Sequence, residues 1–137
     1  ITGDGSIQMN LQELETVVSH RMPIKIFIIN NGGYHSIRQT QKNFFGEPLI
    51  GIGVDSGDLG FPSMEKLAWA YGFPYVAIHG NKELGEKVEE TLAMDGPVIC
   101  EVFVTLRRRD CRTERLYRRR WRICPHSCRT RRWTVSC

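Results

Sequence analysis

Hydrophobic positions along residues 9 to 105 follow two patterns, a repeat of three to four residues and short continuous apolar runs. The repeat predicts amphipathic helices over residues 9 to 20, 34 to 45, 63 to 72 and 82 to 94. The apolar runs predict strands over residues 24 to 29, 75 to 78 and 98 to 104, and the first run, which is β-branched and apolar apart from Lys25, suits a strand buried on both faces. Helix and strand alternate, which is typical of an α/β protein with a doubly wound parallel sheet.

Residues at the ends of these segments are suited to start or stop a helix. Ser63 can cap the third predicted helix and Gly72 can end it, whereas Asn81 can cap the fourth. Residues 46 to 62 contain five Gly and two Pro, which predicts a surface loop, interrupted by the short apolar stretch 49 to 54.

Two glycine-rich turns flank the first predicted helix and strand. Gly3-Asp4-Gly5-Ser6 precedes the helix, and Asn30-Asn31-Gly32-Gly33 follows the strand. In a parallel sheet both turns reach the edge at which open α/β sheets bind ligands. Asp4 offers a carboxylate and Asn31 an amide oxygen, which suit Mg²⁺ bound together with a phosphate group. Glycine lets the backbone approach an anion, and Gly5-Ser6 lead toward a helix whose free N–H groups favour phosphate.

The two turns resemble the thiamine diphosphate motif, which begins with Gly-Asp-Gly and ends with a double Asn. Residues 3 to 14 and 30 to 34, and the stretch Leu67 to Gly72, resemble the acetolactate synthase and thiamine-dependent decarboxylase superfamily. The resemblance covers residues 1 to about 105 and implies the thiamine-diphosphate-binding fold. Only Ile1-Thr2 precede the first turn, so we expect a domain that is truncated at its N-terminus.

The resemblance also implies which residues bind the cofactor. Asp4, the side chain of Asn31 and the backbone carbonyl of Gly33 would hold Mg²⁺. Gly5, Ser6 and Tyr34 would lie along the diphosphate. The complete predicted set of cofactor-binding residues is Gly3, Asp4, Gly5, Ser6, Asn31, Gly33, Tyr34 and His35.

His35 and Arg38 follow the second turn closely. Each is placed to contact an anion or the substrate, and a solvated helix face is the alternative for each. In the decarboxylase branch of the family an acidic residue often lies six positions after the second Asn. Ile37 occupies that position here, which favours an apolar wall near the thiazolium, as in acetolactate synthases, over protonation of the pyruvate decarboxylase kind.

The resemblance implies a parent enzyme that decarboxylates a 2-keto acid on thiamine diphosphate and ligates the product to an acceptor, as acetolactate synthase does. Other thiamine-dependent 2-keto acid decarboxylases and oxalyl-CoA decarboxylase are the alternatives. In this family a Glu on a separate pyrimidine-binding domain, usually of a partner subunit, activates the cofactor. We therefore expect a homodimeric or homotetrameric parent, an inactive isolated chain, and no catalytic residue in this chain.

Charge divides the chain near residue 105. Residues 1 to 105 hold thirteen acidic and seven basic residues, whereas residues 106 to 137 hold twelve Arg, no Lys and two acidic residues. The formal net charge of +4 is thus the sum of −6 and +10. We predict a cofactor-binding domain over residues 1 to 105 and an Arg- and Cys-rich tail over residues 106 to 137.

No apolar run is long enough to span a bilayer, so we expect a cytoplasmic protein.

The tail is open to several interpretations. Arg residues interleaved with Trp121 and Trp133 are typical of nucleic-acid binding, which would make the chain a binding protein of another class. Residues 124 to 128 with Cys111 and Cys137 offer zinc ligands without the usual Cys-x-x-Cys spacing. Disulfides are disfavoured in a cytosolic protein. We favour a frameshifted translation, because GC-rich DNA read out of frame is rich in Arg codons, and so charged a segment is expected to be disordered alone.

Overall fold

A computed structural model describes residues 1–104 of the chain. The interpretations of the tail, namely nucleic-acid binding, zinc binding, disulfides, disorder and a frameshift, concern residues outside this range. Among the described residues, none of the helices combines the length and apolar character needed to cross a membrane.

Within residues 1–104, four parallel strands form one sheet. They are β1 (Thr2–Gly3), β2 (Lys25–Asn30), β3 (Tyr75–Ile78) and β4 (Val98–Phe103), and their order in the sheet is β1-β2-β4-β3. The helices between them are α1 (Glu13–Ser19), α2 (His35–Phe44), α3 (Met64–Tyr71) and α4 (Asn81–Ala93). The predicted α/β fold with a parallel sheet is therefore confirmed.

The first predicted helix is shorter than its hydrophobic pattern indicated. Ser6–Asn10 forms a 3-10 helix, and the α-helix begins only at Glu13. Ile7 and Leu11 nevertheless pack against the core, as do Val17 and Val18. A 3-10 helix also returns to the same face after three residues, so the hydrophobic spacing identified the buried face but not the type of helix.

The predicted helix ends are partly confirmed. The Ser63 hydroxyl accepts a hydrogen bond from the amide of Lys66 at 3.3 Å, and Gly72 ends α3 with a φ of 73°. The prediction that Asn81 caps α4 is wrong, because Asn81 is the first helical residue. The carboxylate of Glu83 instead reaches back and accepts the amide of His79 at 2.5 Å, which satisfies a backbone donor just before that helix.

The hydrophobic core lies on the face of the sheet that α1 and α3 cover. Its buried residues are Leu14, Ile28, Met64, Ala68, Phe73 and Ile99. Of the predicted strand residues 24 to 29 only Ile28 is fully buried, so the prediction of a strand buried on both faces is wrong for the other five. Within the described sheet β1 pairs only with Ile28 and Ile29, and the first half of β2 has no neighbour on that side.

The loop predicted over residues 46 to 62 is attached to the turn that follows β2. Ile52 is fully buried, and Gly53 forms an antiparallel bridge with Gly33. A short 3-10 helix, Val54–Ser56, comes next. The loop is therefore not confined to the surface, because Ile52 of its apolar stretch is buried.

We predict that Ile28→Ala lowers the free energy of unfolding by about 2–5 kcal/mol, since it leaves a cavity at a side chain with 0% exposure. Ile50→Ala makes the same chemical change at a side chain that is 64% exposed, and should shift stability by no more than about 0.5 kcal/mol. Urea unfolding followed by circular dichroism measures both. Equal losses in the two variants would contradict this assignment of the core.

Candidate functional site

The two glycine-rich turns lie at the carboxyl ends of neighbouring strands. Gly3 is paired with Ile29, and the Asp4 amide donates to the Ile29 carbonyl at 3.2 Å. This register continues the pairing by one residue beyond β1. Asp4 and Asn31 therefore leave the sheet at the same edge, which is the ligand-binding edge of open α/β sheets.

Asp4 and Asn31 each carry a buried oxygen without a partner. Asp4 is 2% exposed, and neither its Oδ2 nor the Oδ1 of Asn31 accepts a hydrogen bond from any described residue. A buried polar atom left unsatisfied costs about 1–3 kcal/mol. A carboxylate and an amide oxygen are ligands that hard divalent cations prefer, so a cation bound by both atoms would satisfy them.

An added Cβ atom at Gly33 or Gly5 would collide with neighbouring atoms. Gly33 has a φ of +140°, and a Cβ atom there would lie 2.1 Å from the carbonyl oxygen of Ile52. A Cβ atom on Gly5 would lie 2.5 Å from the ring of Tyr34. The Tyr34 ring also packs edge-on against Phe61, with 5.7 Å between ring centroids. The glycines thus allow the two turns and the loop to meet closely.

Gly3 and Ser6 lie at the start of the site. Gly3 ends β1, whereas Ser6 is exposed and begins the short 3-10 helix. The sequence predicted that Gly5-Ser6 lead into the amphipathic helix, whose free N–H groups would favour phosphate. They lead instead into the short 3-10 helix Ser6–Asn10. That part of the sequence prediction is corrected.

Arg38 is buried, so the solvated alternative for this residue is wrong. It is 5% exposed, and its Nη2 donates to Asp55 Oδ1 at 2.9 Å and to the Gly32 carbonyl at 3.2 Å. The Nδ1 atom of His35 is buried without a partner among residues 1–104. Ile37, the predicted apolar wall, is 46% exposed. Contacts of His35 and Ile37 with a cofactor remain predictions.

Glu101, a carboxylate in the middle of β4, is not among the site residues predicted from the sequence. It is 3% exposed, and its Oε1 accepts a hydrogen bond from Asn30 Nδ2 at 2.6 Å. Its Oε2 accepts one from the hydroxyl of Tyr75. Burial, and then the hydrogen bond and charge of Glu101, raise the pKa of Tyr75 above its ordinary value. An acidic residue inside an otherwise apolar strand was the available signal.

A cleft of about 390 Å³ lies between the strand ends and the loop. Residues that line it include Asp4, Asn30, Gly32, Phe61, Tyr75 and Glu101. The cleft therefore brings together the Asp4 oxygen that has no partner in residues 1–104, the Glu101 carboxylate, whose two oxygens each accept a hydrogen bond, and the turn that follows β2. Its chemistry suits a cation more than a bare anion, because no side chain in this group carries a positive charge.

A family model described as "Thiamine pyrophosphate enzyme, C-terminal TPP binding domain" matches residues 1–102. Thiamine pyrophosphate (TPP) is the same compound as thiamine diphosphate. The match covers both glycine-rich turns, the four strands and the residues that line the cleft, except for Phe103, which ends β4 and also lines the cleft.

The chain is also similar to acetolactate synthases. It is 34% identical to the acetolactate synthase large subunit of Porphyra purpurea over 105 residues, which are 77% of this chain and 17% of the relative. It is 36% identical to that of Cyanidium caldarium over 104 residues, 76% of this chain and 17% of the relative. It is 34% identical to the acetolactate synthase of Arthrospira platensis over 111 residues, which are 81% of this chain and 18% of the relative. The chain thus spans 17% to 18% of the length of these relatives.

We predict that Gly33→Ala lowers the free energy of unfolding by at least about 2 kcal/mol, because the methyl group meets the Ile52 carbonyl at a strained φ. Gly60→Ala is the matched control, since no atom lies within 4 Å of its added Cβ, and it should change stability by at most about 0.5 kcal/mol. Urea unfolding compares the two. A Gly33→Ala variant as stable as the control would contradict the close approach of turn and loop.

Proposed function

The chain belongs to the thiamine pyrophosphate enzyme family, within its C-terminal TPP-binding domain, and we propose that it holds the diphosphate of TPP through Mg²⁺. One observation carries the proposal. The two buried oxygens without partners among the described residues, Asp4 Oδ2 and Asn31 Oδ1, belong to turns that leave the same sheet edge.

In this proposal three groups of the chain bind the metal. They are the Asp4 carboxylate, the Asn31 amide oxygen and the backbone carbonyl of Gly33. Gly3, Gly5, Ser6, Tyr34 and His35 lie along the diphosphate. The chemistry of decarboxylation belongs to the cofactor, whereas the protein supplies binding, orientation and electrostatics.

The charges around the turns support a metal-mediated mode of binding. Residues 3 to 6 and 30 to 34 include no Lys or Arg, and Asp4 is itself an anion. A diphosphate beside the Asp4 carboxylate would be repelled unless a cation lay between them. Arg38 is the nearest Lys or Arg along the sequence, and the Nη2 atom of its guanidinium is paired with Asp55.

For the whole protein we propose decarboxylation of a 2-keto acid followed by carboligation, as in acetolactate synthase. The names of the similar proteins and the apolar Ile37 support this reaction over that of other thiamine-dependent decarboxylases. The cofactor-activating Glu would come from a pyrimidine-binding domain of the parent or of a second subunit, in a cytoplasmic homodimer or homotetramer.

Mg²⁺-dependent binding of TPP to the 137-residue chain tests the site. Asp4→Asn and Asn31→Ala should each weaken binding at least about tenfold, because the first removes the negative charge of a proposed metal ligand and the second removes a proposed ligand. Asp95→Asn removes an equal charge at an exposed position and should bind like the unmodified chain. Isothermal titration calorimetry, with and without a chelator, measures these affinities. Binding that survives both the chelator and Asp4→Asn would refute the site.

Turnover by the chain alone is a separate test. We predict that the purified 137-residue chain binds TPP and Mg²⁺ but does not consume pyruvate, since the activating Glu is expected on another domain. The measurement is pyruvate remaining after prolonged incubation at saturating TPP and Mg²⁺, with an intact acetolactate synthase as positive control. Steady consumption by the chain would show that these residues suffice for catalysis.

A further inference from the structure

Glu101 stands out because a carboxylate is buried in a strand whose other residues from 98 to 102 are apolar. Burying a carboxylate is costly unless hydrogen bonds compensate for the water it loses. Two such bonds are present, one from Asn30 Nδ2 and one from the Tyr75 hydroxyl. Both oxygens of Glu101 are thus engaged, and its partners come from the strands on either side of β4.

Asn30 connects Glu101 to the turn that follows β2. The Asn30 side chain donates through Nδ2 to Glu101 and accepts, through Oδ1, the amide of Gly32 at 3.0 Å. Both hydrogen bonds require the same orientation of the Asn30 side-chain amide. A carboxylate at position 101 enforces that orientation, because it can accept a hydrogen bond but cannot donate one.

Gly32 is held at both of its backbone polar groups. Asn30 binds its amide, and Arg38 donates to its carbonyl at 3.2 Å. Gly32 lies between the two proposed metal ligands of this turn, Asn31 and Gly33. Fixing Gly32 therefore fixes the directions in which the Asn31 side chain and the Gly33 carbonyl leave the backbone.

We propose that Glu101 is a positioning residue, which acts through Asn30 to hold Gly32 and so orients Asn31 and Gly33 for the metal. Tyr75 supports it by occupying the second carboxylate oxygen, so that Oε1 remains directed at Asn30. Neither Glu101 nor Tyr75 binds the metal itself. This role rests on the function proposed above, but its first step, the fixing of Gly32, concerns the chain without a ligand.

Three variants of the full chain separate positioning from general stability. Glu101→Met keeps an apolar side chain of similar size but removes both acceptor atoms. Glu101→Gln retains one oxygen to accept from Asn30, while its amide can donate to the Tyr75 oxygen. Thr91→Val is the control, since it removes a fully buried hydroxyl whose bond to the Lys87 carbonyl lies in α4.

The first measurement is hydrogen exchange of the Gly32 amide, followed by NMR without metal or cofactor. Glu101→Met should accelerate this exchange about fivefold or more, because the acceptor Asn30 is no longer held. Glu101→Gln should restore the slow exchange, and Thr91→Val should leave it unchanged. The amide of Ile99, bonded to the Pro74 carbonyl at 3.0 Å, reports on the rest of the sheet. Unchanged Gly32 exchange in Glu101→Met, or equal acceleration at Ile99, would overturn the proposal.

The second measurement is Mg²⁺-dependent affinity for TPP. Glu101→Met should weaken binding about 10- to 100-fold, and Glu101→Gln should recover most of the loss. Asn30→Ala added to Glu101→Met should weaken binding little further, because both changes break one chain of contacts. If the losses of affinity in the two single variants add up in the double variant, the proposed coupling of Glu101 with Asn30 is overturned. If the unmodified chain binds no TPP, the proposed function fails, whereas the Gly32 exchange still decides whether Glu101 positions the turn.

Discussion

The pairing of β1 with β2 is the constraint on which the candidate site depends. Only two residues of β1 take part, and the amide of Asp4 extends the ladder by one more hydrogen bond to Ile29. Parallel strands place their carboxyl ends at one edge, so this short pairing brings together Asp4 and Asn31, which are 27 positions apart in sequence. Without it, Asp4 would have no fixed relation to Asn31.

A second constraint is the close contact of the turn with the loop. Gly33 and Gly53 approach so closely that a Cβ atom on either would collide with backbone atoms of the other segment. Ile52 is fully buried beside this contact, and the Tyr34 amide donates to its carbonyl at 2.7 Å. The turn is therefore held by the loop as well as by the hydrogen bonds of Asn30 with Glu101 and Gly32. Such bracing fixes potential ligands before anything binds.

Much of the fold and part of the site follow from sequence patterns. The alternating helical and apolar segments predicted α2, α3, β3 and β4 closely, because local periodicity records which faces are buried. The same periodicity could not distinguish the 3-10 helix Ser6–Asn10 from an α-helix. The burial of Arg38 and Glu101 also escaped prediction, since it depends on Asp55, Asn30 and Tyr75, which lie 17, 71 and 26 residues away in sequence.

The two buried carboxylates of the cleft have unequal surroundings, and this inequality indicates where a cation would bind. Both oxygens of Glu101 accept hydrogen bonds from neutral donors, which compensate for part of the water that burial removes. Asp4 keeps Oδ2 without a partner among the described residues, although the side chain is equally shielded from water. A divalent cation gains most where a buried anion is uncompensated. The proposed metal position at Asp4 therefore follows from the difference between these two acids, and the engaged carboxylate is left to orient the turn.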